Sequence, residues 1–168
     1  QAVVATGALM AHGFVEASGK LHFRYDPAMS DDELFGRGYN RVFDSIELER
    51  NLDDVEHIFR AVLEKSRGVE VWSSSLITKA LGAHLSKHDL GRGVLRSAYE
   101  RGVPVYVPAF SDSELGLDFA IHTHRRVGRG EPPLRFDPFL DLEAYRACVL
   151  KARKLGIFTI GGGVPRNW

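Results

Sequence analysis

Cysteine is all but missing from this 168-residue sequence. Cys148 stands alone, which excludes an internal disulfide framework and any multi-cysteine zinc site, and suits a reducing compartment. Net charge is missing too: 22 Lys and Arg against 22 Asp and Glu leave no field to draw nucleic acid or an anionic membrane. No apolar run approaches the roughly 20 residues needed to span a bilayer. The opening QAVVATGALM lacks the basic start of a signal peptide. The expectation is a soluble, cytoplasmic protein with no nucleic acid and no membrane among its partners. Neither GxGxxG nor GxxxxGK[ST] occurs, and no nucleophile elbow accompanies a Ser-His-Asp set.

What is present is alternation of strand and helix signals along a chain of single-domain size. QAVVAT is short, apolar and β-branched, and it runs through Gly7 into ALMAHGFVEA, where Leu9, Met10, Phe14 and Ala17 recur at helical spacing. Val103 to Val107 repeats the plan, with a polar turn around Ser111 and Asp112 before a helix. GIFTIGGGVPRN predicts a third strand and a glycine turn. Between these units, Val55, Ile58, Phe59, Val62 and Leu63 form an apolar stripe introduced by Asn51 and the acidic pair Asp53 and Asp54. Further stripes run over Leu76, Ile77, Ala80 and Leu81, and over Val94, Leu95, Ala98 and Tyr99. Strands separated by helices predict an α/β fold with a parallel sheet. Two stretches read as irregular: GKLHFRYDPAMSDDELFGRGYNRVFDS, and the Gly- and Pro-rich RVGRGEPPLRFDPF before a helix expected over Asp141 to Leu155.

In such a sheet, ligands bind beyond the carboxyl ends of the strands. The three predicted strand ends carry Thr6 and Gly7, Ser111 and Asp112, and Gly161, Gly162 and Gly163. Glycines let a pyrophosphate approach the backbone, Thr6 offers a hydroxyl, and Asp112 can accept from a ribose hydroxyl; together they suit a dinucleotide. The competing reading makes the glycines a turn of positive φ and Asp112 a helix cap. His12 falls just past the Thr6-Gly7 turn, near the same crevice or simply solvated on its helix. The pairs His84 and His88, and His122 and His124, lack a third ligand, so no metal site is expected. Cys148 sits within an amphipathic helix and reads as a small core residue. The serines of SSSLITK read as helix caps.

The order of VVATGALMAH, GYNRVFDS, VPVYVPAFSDSELGLD and GIFTIGGGVPRN resembles the successive signatures of the deoxyhypusine synthase family, across nearly the whole chain. PVYVPAFSDSELG and the closing GGGVPRN are the specific parts. The resemblance implies a Rossmann-like parallel sheet with helices on both faces, tightly bound NAD, and a homotetramer with active sites at subunit interfaces. It implies an NAD-dependent transferase that moves an aminobutyl group from a polyamine such as spermidine to an amine acceptor. It sets Thr6, Gly7, Asp112, Gly161, Gly162 and Gly163 against NAD. Glu114 and Asp118 become the carboxylates for a cationic polyamine, with His12 and Asn167 beside the substrate. The pattern also departs from the spermidine enzymes. Leu117 stands where they carry a substrate-binding aspartate, with Asp118 one position later; Asn167 stands where a histidine is usual; and GALMAH lacks their paired acidic residues. These changes bring the chain nearer the bacterial deoxyhypusine synthase-like branch, whose acceptors need not be proteins. The family's imine-forming lysine follows the glycine turn in a segment beyond Trp168. Residues 1–168 are therefore expected to be a single NAD-binding domain, the ordered middle of a longer chain. The alternatives are a homospermidine synthase-type activity and a non-catalytic regulatory or structural subunit.

Overall fold

The first strand, β1 (Val3–Val4), leads directly into α1 (Gly7–Ala17). Thr6 makes that entry abrupt: it is extended and its hydroxyl accepts from the Leu9 N–H at 3.2 Å, capping the helix. In the computed structural model, which describes residues 1–66 and 68–168, α1 buries Met10, Ala11, Phe14, Val15 and Ala17 against the core.

The stretch that reads as irregular is ordered instead. It holds β2 (His22–Arg24), α2 (Asp31–Gly36), β3 (Tyr39–Val42) and β4 (Ser45–Leu48). The strands form an antiparallel sheet in the order β2-β4-β3, with Phe23 opposite Ile46 and Arg41 also opposite Ile46. A capping box between Ser30 and Glu33 starts α2. These strands are only three or four residues long, and β2 and β3 are partly exposed, so their pairing left no sustained apolar alternation.

Four helices follow: α3 (Arg50–Lys65), α4 (Ser74–Lys87), α5 (Val94–Glu100) and, after β5 (Val105–Tyr106), α6 (Glu114–Gly128). The predicted stripe of α3 does bury Val55, Phe59, Val62 and Leu63. Asn51 does not cap α3: Glu49 holds that position, and Asn51 lies buried inside the first turn. The capping role of the serines is borne out at Ser73, whose hydroxyl accepts from Leu76 N–H. β1 and β5 pair in parallel, Val3 opposite Val105 and Val4 opposite Tyr106. Fold class is thus mixed α/β, with a two-stranded parallel sheet and a three-stranded antiparallel one.

The last helix, α7, spans Phe139–Leu150, not Asp141 to Leu155, and Cys148 is half-buried on it rather than in the core. The predicted third strand does not form. Ile157, Phe158 and Ile160 are 85%, 88% and 87% exposed, and the run pairs with neither β1 nor β5. An apolar strand needs a ladder partner and a covered face, and this run has neither. The chain closes on a 3-10 turn, Val164–Asn167, and Trp168, whose ring sits 6.0 Å from Tyr106 and 5.5 Å from Tyr145. Among the described residues, no helix is long and apolar enough to cross a membrane.

Candidate functional site

The parallel pairing of β1 with β5 brings the starts of α1 and α6 together at one sheet edge. Their contact is intimate: a Cβ built on Gly7 would meet Ser113 Cβ at 2.2 Å. Ser113 is the N-cap of α6, its hydroxyl accepting from Gly116 N–H at 3.2 Å. Gly116 is equally constrained, since a Cβ there would lie 2.2 Å from the Phe110 carbonyl oxygen. Gly7 is therefore required by packing between two helix ends. Two sets of first-turn N–H groups converge there, an arrangement that favours an anion.

Thr6 and Asp112 flank this junction, both exposed. With Ser113 as the cap, the capping reading of Asp112 falls away; its backbone N–H donates to Ala109 C=O at 3.0 Å and its carboxylate stays at the surface. Two of the three predicted strand ends thus meet. Gly161, Gly162 and Gly163 remain exposed, and nothing lies within 4 Å of a Cβ built at Gly161 or Gly163. Their φ values of +77° at Gly161 and +88° at Gly163 suit the turn reading. Asn167 ends the exposed 3-10 turn and caps no α-helix.

Behind the junction, acidic groups gather. Glu114 and Asp118 lie one turn apart on α6. Burial raises the Glu114 pKa, with Glu47 adding to the shift while His12 and His22 oppose it. Burial lifts Asp118 to about 7, reinforced by Glu56 and Glu114 and opposed by Arg125. Glu56 itself is held by Arg125 Nη1 at 2.5 Å. Leu117, by contrast, turns outward at 58% exposure, so Asp118 rather than its neighbour faces the acidic cluster.

His12 is half-buried on α1 and belongs to a tighter group that sequence spacing does not reveal. His22 on β2 faces Glu47 on β4 across the antiparallel ladder. Glu47 is 1% exposed; its Oε1 lies 3.5 Å from His12 Nδ1, and its Oε2 lies 3.3 Å from His22 Nε2. Glu16, one turn after His12, reaches His22 Nδ1 at 3.1 Å. Two consecutive elements, α1 and β2, and the more distant β4 supply these side chains, and only the register of β2 against β4 could have announced Glu47 beside His22.

Two hollows lie elsewhere. A groove of about 220 Å³ runs between α4, α5 and the start of β5, lined by Leu76, Lys79, Tyr99 and Pro104. A more open one lies near Val3, Arg92 and Val103. Both sit at the amino ends of the parallel strands, whereas the converging N–H groups and desolvated carboxylates lie at the carboxyl edge.

Among known proteins, the family model for deoxyhypusine synthase matches residues 1–168. Similar curated proteins include a probable deoxyhypusine synthase 2 of Methanosarcina acetivorans, 29% identical over 99% of this chain and 47% of its own length. A deoxyhypusine synthase-like protein of Caulobacter vibrioides is 30% identical over 99% of this chain and 46% of its own. Another of that description, from Coxiella burnetii, is 31% identical over 99% of this chain and 47% of its own. The chain spans about half the length of these relatives.

Proposed function

Because the chain belongs to the deoxyhypusine synthase family, we propose that it forms the cofactor- and polyamine-binding part of an NAD-dependent transferase. That enzyme moves an aminobutyl group from a polyamine such as spermidine to an amine acceptor. The observation that carries the reading is the pair of desolvated carboxylates, Glu114 and Asp118, set directly behind two converging helix N-termini. Carboxylates held away from water call for a cationic ligand, and a polyamine is one.

On this reading β1–α1 and β5–α6 are neighbouring units of a Rossmann-like sheet with helices on both faces. The first-turn N–H groups of α1 and α6 fit a pyrophosphate, Thr6 lies at its edge, and the surface carboxylate of Asp112 accepts from a ribose hydroxyl. Bound there, NAD supplies the acceptor, and later the donor, of a hydride. Glu114 and Asp118 hold ammonium groups of the polyamine and fix which secondary amine faces the cofactor. Asp118, with a pKa near 7, gives up its proton as a cation docks. The imine-forming lysine and the homotetramer implied by the resemblance belong to the same proposal, as does a cytoplasmic location.

One observation favours a second reading, a non-catalytic subunit: the Gly161 to Gly163 turn is exposed and unoccupied by any neighbouring side chain at Gly161 and Gly163. Calorimetric titration with NAD and then spermidine separates the two. Saturable NAD binding that strengthens spermidine binding supports the transferase, and no saturation at millimolar NAD supports the subunit.

A further inference from the structure

Four polar atoms around Glu47 are shut off from water and make no hydrogen bond: His12 Nδ1, both ring nitrogens of His22, and Glu47 Oε2. His22 Nδ1 has Glu16 Oε1 close by at 3.1 Å, but His12 Nδ1, His22 Nε2 and Glu47 Oε2 are left around one point, and buried polar groups are nearly always satisfied, so the cluster asks for an occupant. One ligand atom from each of His12, His22 and Glu47 lies within 4.8 Å of the others. We infer that His12, His22 and Glu47 form a binding site for a divalent transition metal, of which Zn²⁺ is the type, at the seam between α1 and the antiparallel sheet.

The donor set suits a metal: two imidazole nitrogens and one carboxylate are zinc-type ligands. Bonds of about 2.0–2.1 Å to nitrogen and oxygen, arranged tetrahedrally, put neighbouring ligand atoms roughly 3.4 Å apart. His12 Nδ1 lies 3.5 Å from Glu47 Oε1 and His22 Nε2 lies 3.3 Å from Oε2, and a set of three ligand atoms within 4.8 Å needs only small side-chain rotations to close on one ion. Two imidazoles with one carboxylate also favour zinc-like ions over Mg²⁺ or Ca²⁺, which prefer oxygen.

The surroundings fit as well. Glu16 Oε1 lies 3.1 Å from His22 Nδ1, so a small ring rotation lets Nδ1–H donate to it and leaves the Nε2 lone pair for the metal. That is the carboxylate–histidine–metal relation by which proteins orient a ligand. With Nε2 unprotonated, its lone pair would otherwise confront Glu47 Oε2 at 3.3 Å, a repulsion that a cation removes. Three protein ligands leave a water to complete a four-coordinate site. The site does not rest on the NAD and polyamine reading; Zn²⁺ retention tests it directly, and spermidine enters only as a competing ligand.

The test is metal analysis after chelator treatment, dialysis against Zn²⁺, and removal of excess. The protein should retain one equivalent of Zn²⁺, melt at a higher temperature with Zn²⁺, and give the intense visible bands of a four-coordinate site with Co²⁺. His12→Ala, half-exposed and so safe for folding, should lose the retained metal and the thermal shift. Glu16→Gln should keep the fold and weaken Zn²⁺ by about tenfold to a hundredfold. Retention below a tenth of an equivalent, or retention unaltered by His12→Ala and Glu16→Gln, overturns the site. So does a thermal shift that spermidine produces in a His12-dependent manner and Zn²⁺ does not.

Discussion

The carboxylate of Asp141 on α7 accepts two hydrogen bonds from Ser74, from its N–H at 2.8 Å and its hydroxyl at 2.7 Å, across a gap of 67 residues in sequence. Ser75 N–H adds a third at 3.2 Å, and the Ser74 hydroxyl in turn accepts from Val107 N–H at 2.8 Å. A buried anion thus seals the start of α4 and joins α7 to the end of β5, where the positive end of the α4 dipole favours it.

Asp141→Ala should strand those donors in a dry site and lower stability by about 3 kcal/mol. Urea unfolding should show the midpoint falling with little change in slope. Asp141→Asn should recover part of the loss, because an amide oxygen can still accept; equal losses in both variants would argue against the hydrogen bonds.

Gly7→Ala forces a Cβ to within 2.2 Å of Ser113 Cβ, so α1 and α6 must separate. The expected cost is about 1–3 kcal/mol. Ser113→Gly in the same chain should relieve it, giving a favourable coupling in a double-mutant cycle. Strict additivity of the two changes would mean the helix ends do not touch as described.

Asp112→Ala tests the cofactor proposal. Loss of a charged acceptor is typically worth about 1.5–3 kcal/mol, or on the order of tenfold to a hundredfold in NAD affinity. Since Ser113 rather than Asp112 caps α6, the melting temperature of the NAD-free protein should hold steady. Unchanged NAD affinity would remove Asp112 from the site.

Asp118 makes stability depend on pH. Its carboxyl rises from 3.8 to about 7 on folding, so between those values the folded state keeps a proton that the unfolded chain has released. Stability should fall as pH climbs through that window, and Asp118→Asn should flatten the fall. Polyamine affinity should rise over the same range, with proton release seen as a buffer-dependent heat. A variant that keeps the full slope would assign it to another group.

The sequence makes legible those elements whose burial follows a regular period. The stripe Val55, Phe59, Val62 and Leu63 declares α3, and the β-branched runs before Gly7 and Pro108 declare β1 and β5. Their ends locate Thr6, Gly7 and Asp112 at one edge, although the need for Gly7 comes from Ser113. Regularity fails for β2, β3 and β4, short strands without apolar alternation that gain their order from each other. It fails also for His22 and Glu47, neighbours only through strand register, and for Ile157 to Ile160, where an apolar run implies a sheet partner that the described strands do not supply. Glu114 and Asp118 were readable as carboxylates on one helix, but their raised pKa comes from burial in the folded chain, with charge repulsion from Glu47 and Glu56 on other elements added to it.

The seating of Trp168 against Tyr106 and Tyr145 gives the molecule an optical gauge of its own. The chain has only two tryptophans, and Trp72 is 2% exposed, beyond the reach of a soluble quencher. Acrylamide therefore addresses Trp168 alone, and its emission, fed by the two tyrosines beside it, tracks whether the glycine-rich close of the chain stays docked on β5. A change in that signal as NAD is added would follow Gly161 to Gly163 in real time, with no label attached.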